Sequence, residues 1–422
     1  MNKKVIRMVI GGGFIATFFI SIQVNAQVTT AQVNQFLSQI NTITTAVPFL
    51  MITPDSRAAG MGETGVATTP DVNSVHWNAA KLPFSDKKMG LGISYAPWLR
   101  ALVPDINLAY VSFYSKLKDK NSAVAGSMRY FSMGNITFTD NVGNTIGQFR
   151  PNEFAFDGTY SRKLGSKFSA AMTARLIRSN LTNGITVAGQ DTKAGSAFAV
   201  DLSGYYNNKK IKIDGKPGTL MFGLVISNIG SKISYSTSVN RDFIPMNLRL
   251  GSGIVIDADA YNQIGFQLEF TKLLVPTPPQ YSIDANGSPT IDPNTQKYVI
   301  LAGRDPNVSV PQAIFQSFYD APGGFKEELR EINICTGLEY WYNQIFTVRA
   351  GYFYEAATKG NRQFLTIGAG LKYNVFGLDF AYLIPTNGQR SPLQNTLRFT
   401  LIFDFDAFNN LGKDAGANEG GK

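Results

Sequence analysis

From residue 88 onward, the chain consists of segments of about ten residues in which apolar side chains occupy every second position. That period places one row of side chains on each face of a strand. Leu397, Phe399, Leu401, Phe403 and Phe405 share one face, with Arg398, Thr400, Asp404 and Asp406 on the other. Ile264, Phe266, Leu268 and Phe270 oppose Gly265, Gln267 and Glu269, and Phe198, Val200 and Leu202 oppose Ala199, Asp201 and Ser203. The pattern predicts strands near 88–95, 105–115, 122–131, 153–161, 168–178, 197–206, 219–227, 247–256, 262–271, 333–340, 346–354, 363–373, 377–384 and 396–405. About fourteen strands is an even number, as outer-membrane barrels of bacteria require.

The connections separate a barrel from a soluble β-sandwich or propeller, which would also alternate. If the first strand runs outward, the returning turns are short: 116–121, 163–167, 257–261, 341–344 and 374–376. Only 207–218 is longer. The outward connections at 132–152, 179–196, 228–246 and above all 272–332 are long. Short turns on one side and long loops on the other belong to a transmembrane barrel. Tyr95, Tyr110, Tyr114, Tyr130, Tyr160, Tyr205, Tyr206, Tyr352, Tyr354, Tyr373 and Tyr382 lie toward strand ends, where aromatic girdles are expected.

A wall facing lipid also accounts for the low charge. Only 16% of the 422 residues are charged, against roughly a quarter in ordinary soluble domains. The composition excludes a disordered chain and a coiled coil. One Cys and one His, Cys335 and His76, leave no internal disulfide and make a zinc site or a serine-hydrolase triad improbable. No catalytic, metal or cofactor-binding residues are therefore assigned. Lysines and arginines are scattered, which sets nucleic-acid binding aside.

Lys3, Lys4 and Arg7 precede an apolar stretch and small residues ending at Ala26. This is the layout of a secretory signal peptide over 1–26, with cleavage expected between Ala26 and Gln27. Its removal lowers the formal charge from +9 to +6. The expected organisation continues with a plug segment at 27–87, at the periplasmic mouth and in the lumen, and a barrel at 88–406. A flexible tail follows at 407–422. Within 29–43, Val33, Phe36, Leu37 and Ile40 have helical spacing, predicting a short amphipathic helix at the periplasmic mouth.

Gly60-Met61-Gly62-Glu63-Thr64-Gly65 matches a dinucleotide fingerprint in letters only. It lacks the strand before and the helix after that such a site needs. Its glycines are read as permitting a tight backbone. In the long loop, Pro311 opens a predicted helix over 312–319, and 326–330 adds a second helical turn. A loop this long and this apolar is expected to be ordered and to contact a partner through Ile314, Phe315, Phe318, Tyr319 and Phe325.

Residues 48–68 carry Pro54-Asp55-Ser56-Arg57-Ala58-Ala59-Gly60-Met61-Gly62. They continue into Pro70-Asp71-Val72-Asn73-Ser74-Val75-His76-Trp77-Asn78-Ala79-Ala80-Lys81. This run closely resembles the N-terminal signature of the PorV (LptO) family of the Bacteroidetes type IX secretion system, within the broader FadL-like superfamily. The resemblance implies an all-β, FadL-like barrel of fourteen strands, with an N-terminal segment lining or plugging the lumen and a long extracellular loop. Asp55, Arg57, Gly60, Gly62, Asp71, Asn73, His76, Trp77 and Asn78 form the plug motif. Asp55, Arg57 and His76 are expected to meet lumen groups such as Asp201, Glu269 and Arg398. His76 itself is expected to lie away from any strand.

The implied role is non-catalytic. Such a protein docks on the SprA-type translocon barrel and takes over the C-terminal signal domains of secreted proteins. It then delivers them to the PorU attachment complex, within outer-membrane lipid and lipopolysaccharide. The alternatives are a FadL-like transporter of hydrophobic small molecules or an outer-membrane lipid A O-deacylase.

Overall fold

The structure is a computed structural model that describes residues 40–405 except 100–102, 104, 140–141, 185, 187–190, 237–240, 285, 287 and 388–395. The expected signal peptide, its cleavage point at Ala26 and Gln27, and the tail lie outside the described residues. So does 29–39 of the predicted N-terminal helix; residues 40–43 are not helical.

The first wall strands are β1 (Met89–Pro97), β2 (Ile106–Lys116) and β3 (Ser122–Met133). A small hairpin follows, β4 (Ile136–Thr139) and β5 (Thr145–Phe149). The wall resumes with β6 (Asn152–Lys163), β7 (Phe168–Asn180), β8 (Gly195–Ile213), β9 (Lys216–Gly230), β10 (Asn247–Asp257) and β11 (Asn262–Leu273). Within the long loop lie β12 (Gln280–Tyr281) and β13 (Ile300–Ala302). The last five strands are β14 (Asn333–Tyr342), β15 (Phe346–Tyr354), β16 (Gln363–Tyr373), β17 (Phe376–Pro385) and β18 (Leu397–Asp404).

Fourteen of these close into one antiparallel barrel, each pairing with the next wall strand in sequence, and β18 closing on β1. All fourteen wall strands fall where the alternation placed them. The 207–218 connection is a correction: β8 and β9 extend through it and turn at Asp214 and Gly215, both with positive φ. Strand pairing continues there because Ile211 and Ile213 keep the alternation going against 216–218.

The wall is inverted relative to a soluble protein. Phe266, Phe270, Phe198, Leu202 and Leu401 are exposed, whereas Gln267, Glu269, Asp201, Arg398 and Thr400 are buried. An apolar outer surface suits lipid, where a Lys or Arg at the midplane costs about 2–4 kcal/mol. The tyrosines divide. Tyr95, Tyr160, Tyr354 and Tyr373 are exposed, but Tyr110, Tyr114 and Tyr205 point inward and are buried. These three correct the girdle reading: Tyr205 donates to the Thr68 carbonyl, and Tyr114 shares a hydrogen bond with Ser85.

What fills the interior is the segment from residue 41 to residue 88. Asn41 donates to the Pro278 carbonyl and Glu327 on the long-loop side, and Ala46 to Phe243. At the other end, Lys116 donates its backbone N–H to Lys88 beside the short turns. The segment therefore runs the length of the lumen, with residues 41–46 on the long-loop side, opposite the short-turn mouth expected for the 29–43 helix. Two short α-helices, Ser56–Ala59 and Ser74–Trp77, and two 3-10 turns, Pro48–Met51 and Ala79–Phe84, make up its regular structure.

Close approach is achieved by inward-facing wall glycines. A Cβ on Gly351 would sit 2.1 Å from Gly62 N, and one on Gly223 would sit 2.4 Å from Val66 O. Gly337 and Gly368 likewise face Met61 and Gly60. Gly62 itself holds φ +65 with backbone on both sides, so it needs to be glycine for conformation and for space. Replacing Gly351 by Ala should therefore destabilise by about 1–3 kcal/mol through overpacking. Gly158→Ala, where nothing lies within 4 Å, should leave the barrel unchanged. The heat-dependent gel mobility of refolded protein distinguishes the two.

Candidate functional site

Arg57, in the short helix Ser56–Ala59, reaches the wall at Glu339 on β14. Its Nε and Nη2 donate to the two Glu339 oxygens at 3.0 and 2.8 Å. Nη1 donates to Asp71 at 2.9 Å and to the Thr69 carbonyl, and Nη2 donates also to the Thr69 hydroxyl. All five N–H donors of the guanidinium are thereby used. Glu339 also accepts from Arg349 on β15, which bonds Asp379 on β17, so one ionic chain links the plug to three strands. Burial opposes charge on Arg57, but Glu339 and Asp71 outweigh it and hold its pKa above the usual value.

A second node forms around Trp77. Its indole donates to Asp55 at 2.6 Å, while Asp55 caps the short helix by accepting from Ala58 N. Arg249 on β10 lies over the indole ring at 4.8 Å and pairs with Glu269 on β11 at 3.0 Å. Glu269 in turn accepts from the backbone N–H groups of Gly65 and Val66. Gly65 is required here, because a Cβ would lie 2.2 Å from the Trp77 ring. Asn78 donates to the carbonyls of Val66 and Gly204, and Asn73 accepts from Ser112. Lys81 donates to Gly65 O and Thr68, and burial lowers its ammonium pKa to about 8.

Several expected pairings are corrected. Arg57 meets Glu339 rather than Asp201 or Glu269. Asp201 belongs to a wall cross-link with Arg175, Asp157 and Asn228. Glu269 does hold the plug, but through backbone donors. Arg398 comes within 3.7 Å of Glu63 instead of an expected partner. His76 is not away from the strands: its Nδ1 accepts from Arg129 on β3 at 2.6 Å, and its ring packs edge-on against Tyr110 of β2. Burial first, and then Arg129, lowers its pKa well below the ordinary value, so the imidazole is neutral. A period-two reading places Glu339 and Arg129 on the inner face but cannot say which plug group each meets.

In the long loop, helices Val310–Gln316 and Phe325–Arg330 agree with the predicted turns. Lys272 pairs with Glu328 and Glu331, and Lys359 with Glu327 and Glu331, so the second helix is tied down at its root by buried ion pairs. Phe315, Phe318, Tyr319 and Phe325 are exposed, Phe325 to 76%. Ile314 is a correction among the expected contact residues: it packs inward against the cluster of Met246, Leu274, Val275 and Ala313.

On the long-loop side of the plug lies a cavity of about 1650 Å³, bounded by residues 42–49, Trp98, Phe131, Glu153, Tyr235 and loop residues including Phe243 and Pro276.

Breaking a buried ion pair leaves an uncompensated charge, at a cost of about 3–5 kcal/mol. Arg57→Met should show that loss in its chemical unfolding midpoint, and the double variant Arg57→Met/Glu339→Gln should recover part of it. A pH dependence follows from Asp55, whose carboxyl burial and Asp71 together push from 3.8 up to about 6. The raised value favours the folded state fully below 3.8, and that contribution is lost as pH rises through about 6. In Asp55→Asn, stability should change less across this window.

A family model described as type IX secretion system protein PorV matches residues 35–280, more than half of the chain. No curated protein matches it. Among solved structures, the chain is similar to the toluene transporter TbuX of Ralstonia pickettii, at 12% identity and TM-score 0.43, covering 83% of this chain and 97% of that one. It is also similar to a Pseudomonas aeruginosa FadL homologue, at 11% identity and TM-score 0.42, covering 86% and 99%. BamA from Haemophilus ducreyi matches at 10% identity and TM-score 0.33, covering 88% and 81%.

Proposed function

The chain belongs to the PorV family of type IX secretion system proteins, and from this premise we propose that it acts as a binding barrel in protein export across the outer membrane. In this reading it is exported by a signal peptide cleaved after Ala26. It docks on the SprA-type translocon, receives the C-terminal signal domains of secreted proteins and passes them to the PorU attachment complex.

The observation that carries the reading is the outward loop. Exposed large aromatics on a segment held by buried ion pairs are the anatomy of a protein-binding surface. Phe315, Phe318, Tyr319 and Phe325 offer such anchors, and Lys272 and Lys359 hold the second helix, which carries Phe325. Tyr and Phe are enriched in the buried centre of protein–protein interfaces. The plug has a different part in this reading. Its bonds to the wall make it a stopper and a brace, so the lumen serves as scaffold for the outer surface rather than as a conduit.

The test replaces Phe315 and Phe325 by Ser and recovers complexes from detergent-solubilised outer membranes of the native host. Capture of the giant translocon barrel and of secreted proteins should fall about tenfold or more. Gel mobility should show an intact barrel. Undiminished capture by the folded variant would refute the docking surface.

A further inference from the structure

The wall of the outward cavity contains a carboxylate that the protein itself does not satisfy. Glu153, near the start of β6, is 1% exposed and lines the cavity. Its Oε1 accepts from the Ser179 hydroxyl at 2.6 Å, and Ser179 accepts from the Tyr235 hydroxyl at 3.0 Å. Its Oε2 is buried with no hydrogen-bond partner among the described residues. An unsatisfied buried acceptor costs about 1–3 kcal/mol, and more when charged. Elsewhere in this lumen the buried carboxylates of Asp157, Glu269 and Glu339 are each matched to an arginine.

We propose that the cavity is a binding site for an alkylammonium group, with Glu153 Oε2 as its counter-charge. Three features of the lining favour a cation with an apolar stem. Val47, Phe49 and Phe131 provide apolar surface around the same space. Tyr235 adds a further aromatic face, which attracts a cation placed over it, whereas the Trp98 ring already carries Arg398 at 5.5 Å. The basic groups of the lining have partners other than Glu153 or lie in solvent: Lys359 on Glu327 and Glu331, Arg362 on Glu355, Lys232 over the Phe243 ring, and Arg241 exposed. The ammonium can be a lysine side chain on a polypeptide entering the mouth, or a free amine. This site is independent of the aromatic loop surface, and neither result decides the other.

The experiment uses the full chain in lipid nanodiscs, with empty nanodiscs as control, and calorimetric titration with hexylammonium, hexanol and hexanoate. Hexylammonium should bind about tenfold tighter than either analogue, and Glu153→Gln should abolish that preference. An acetylated, amidated hexapeptide containing one lysine, compared with its norleucine counterpart, then separates the sources. A lysine preference lost in Glu153→Gln assigns a polypeptide, and binding of the free amine alone assigns a small ligand. Equal binding of the three probes, no binding of any, or a preference unchanged in the folded variant would overturn the site. The three-probe comparison on the unaltered protein decides the matter even if the variant fails to assemble.

Discussion

A guanidinium shut away inside a barrel must find a partner for every donor, and Arg57 finds all five between Glu339, Asp71 and Thr69. The rest of the interior is arranged around that requirement. Because Glu339 also receives Arg349, and Arg349 reaches Asp379, the plug is connected to β14, β15 and β17 through one chain of charge-assisted hydrogen bonds. Such bonds are about twice as strong as neutral ones, and they fix orientation as well as position. The plug enters the lumen in one register because displacing Arg57 would strand several buried charges at once.

Charge alone would not bring backbone against backbone. Gly223, Gly337, Gly351 and Gly368 remove the side chains that would keep the plug away from the wall. The carbonyls and N–H groups of 60–68 can then be served by Glu269, Thr366 and Lys81. The seam where the last strand meets the first is included. Thr400 on β18 bonds Ser94 on β1 and accepts from the backbone N–H of Ser56 in the plug. Plug and barrel thus share one polar core, while the apolar residues that would form the core of a soluble protein face outward.

Much of this was legible from period and spacing. Fourteen strands, their inward and outward faces and the loop asymmetry follow from alternation, because a strand has only two faces and lipid tolerates only one kind of surface. The first loop helix was readable from Pro311 and the apolar residues after it. The misreadings share a cause. Tyr110, Tyr114 and Tyr205 look like girdle residues until the plug places Ser85, Thr68 and His76 within their reach. Ile314 reads as exposed on its helix until Met246, Leu274 and Ala313 cover it.

The amino-acid order by itself determined that this chain is a transmembrane barrel whose wall is apolar outside and polar inside, and that a glycine-rich motif precedes it. Those properties are local, set by side-chain period and backbone freedom over a few residues. Only the tertiary structure decided that Arg57 belongs to Glu339, that residues 41–46 lie on the long-loop side, and that Glu153 Oε2 is left without a partner among the described residues. Each depends on which residues, remote in sequence, closure of the barrel brings within hydrogen-bond distance. Local periodicity carries no information about that distance.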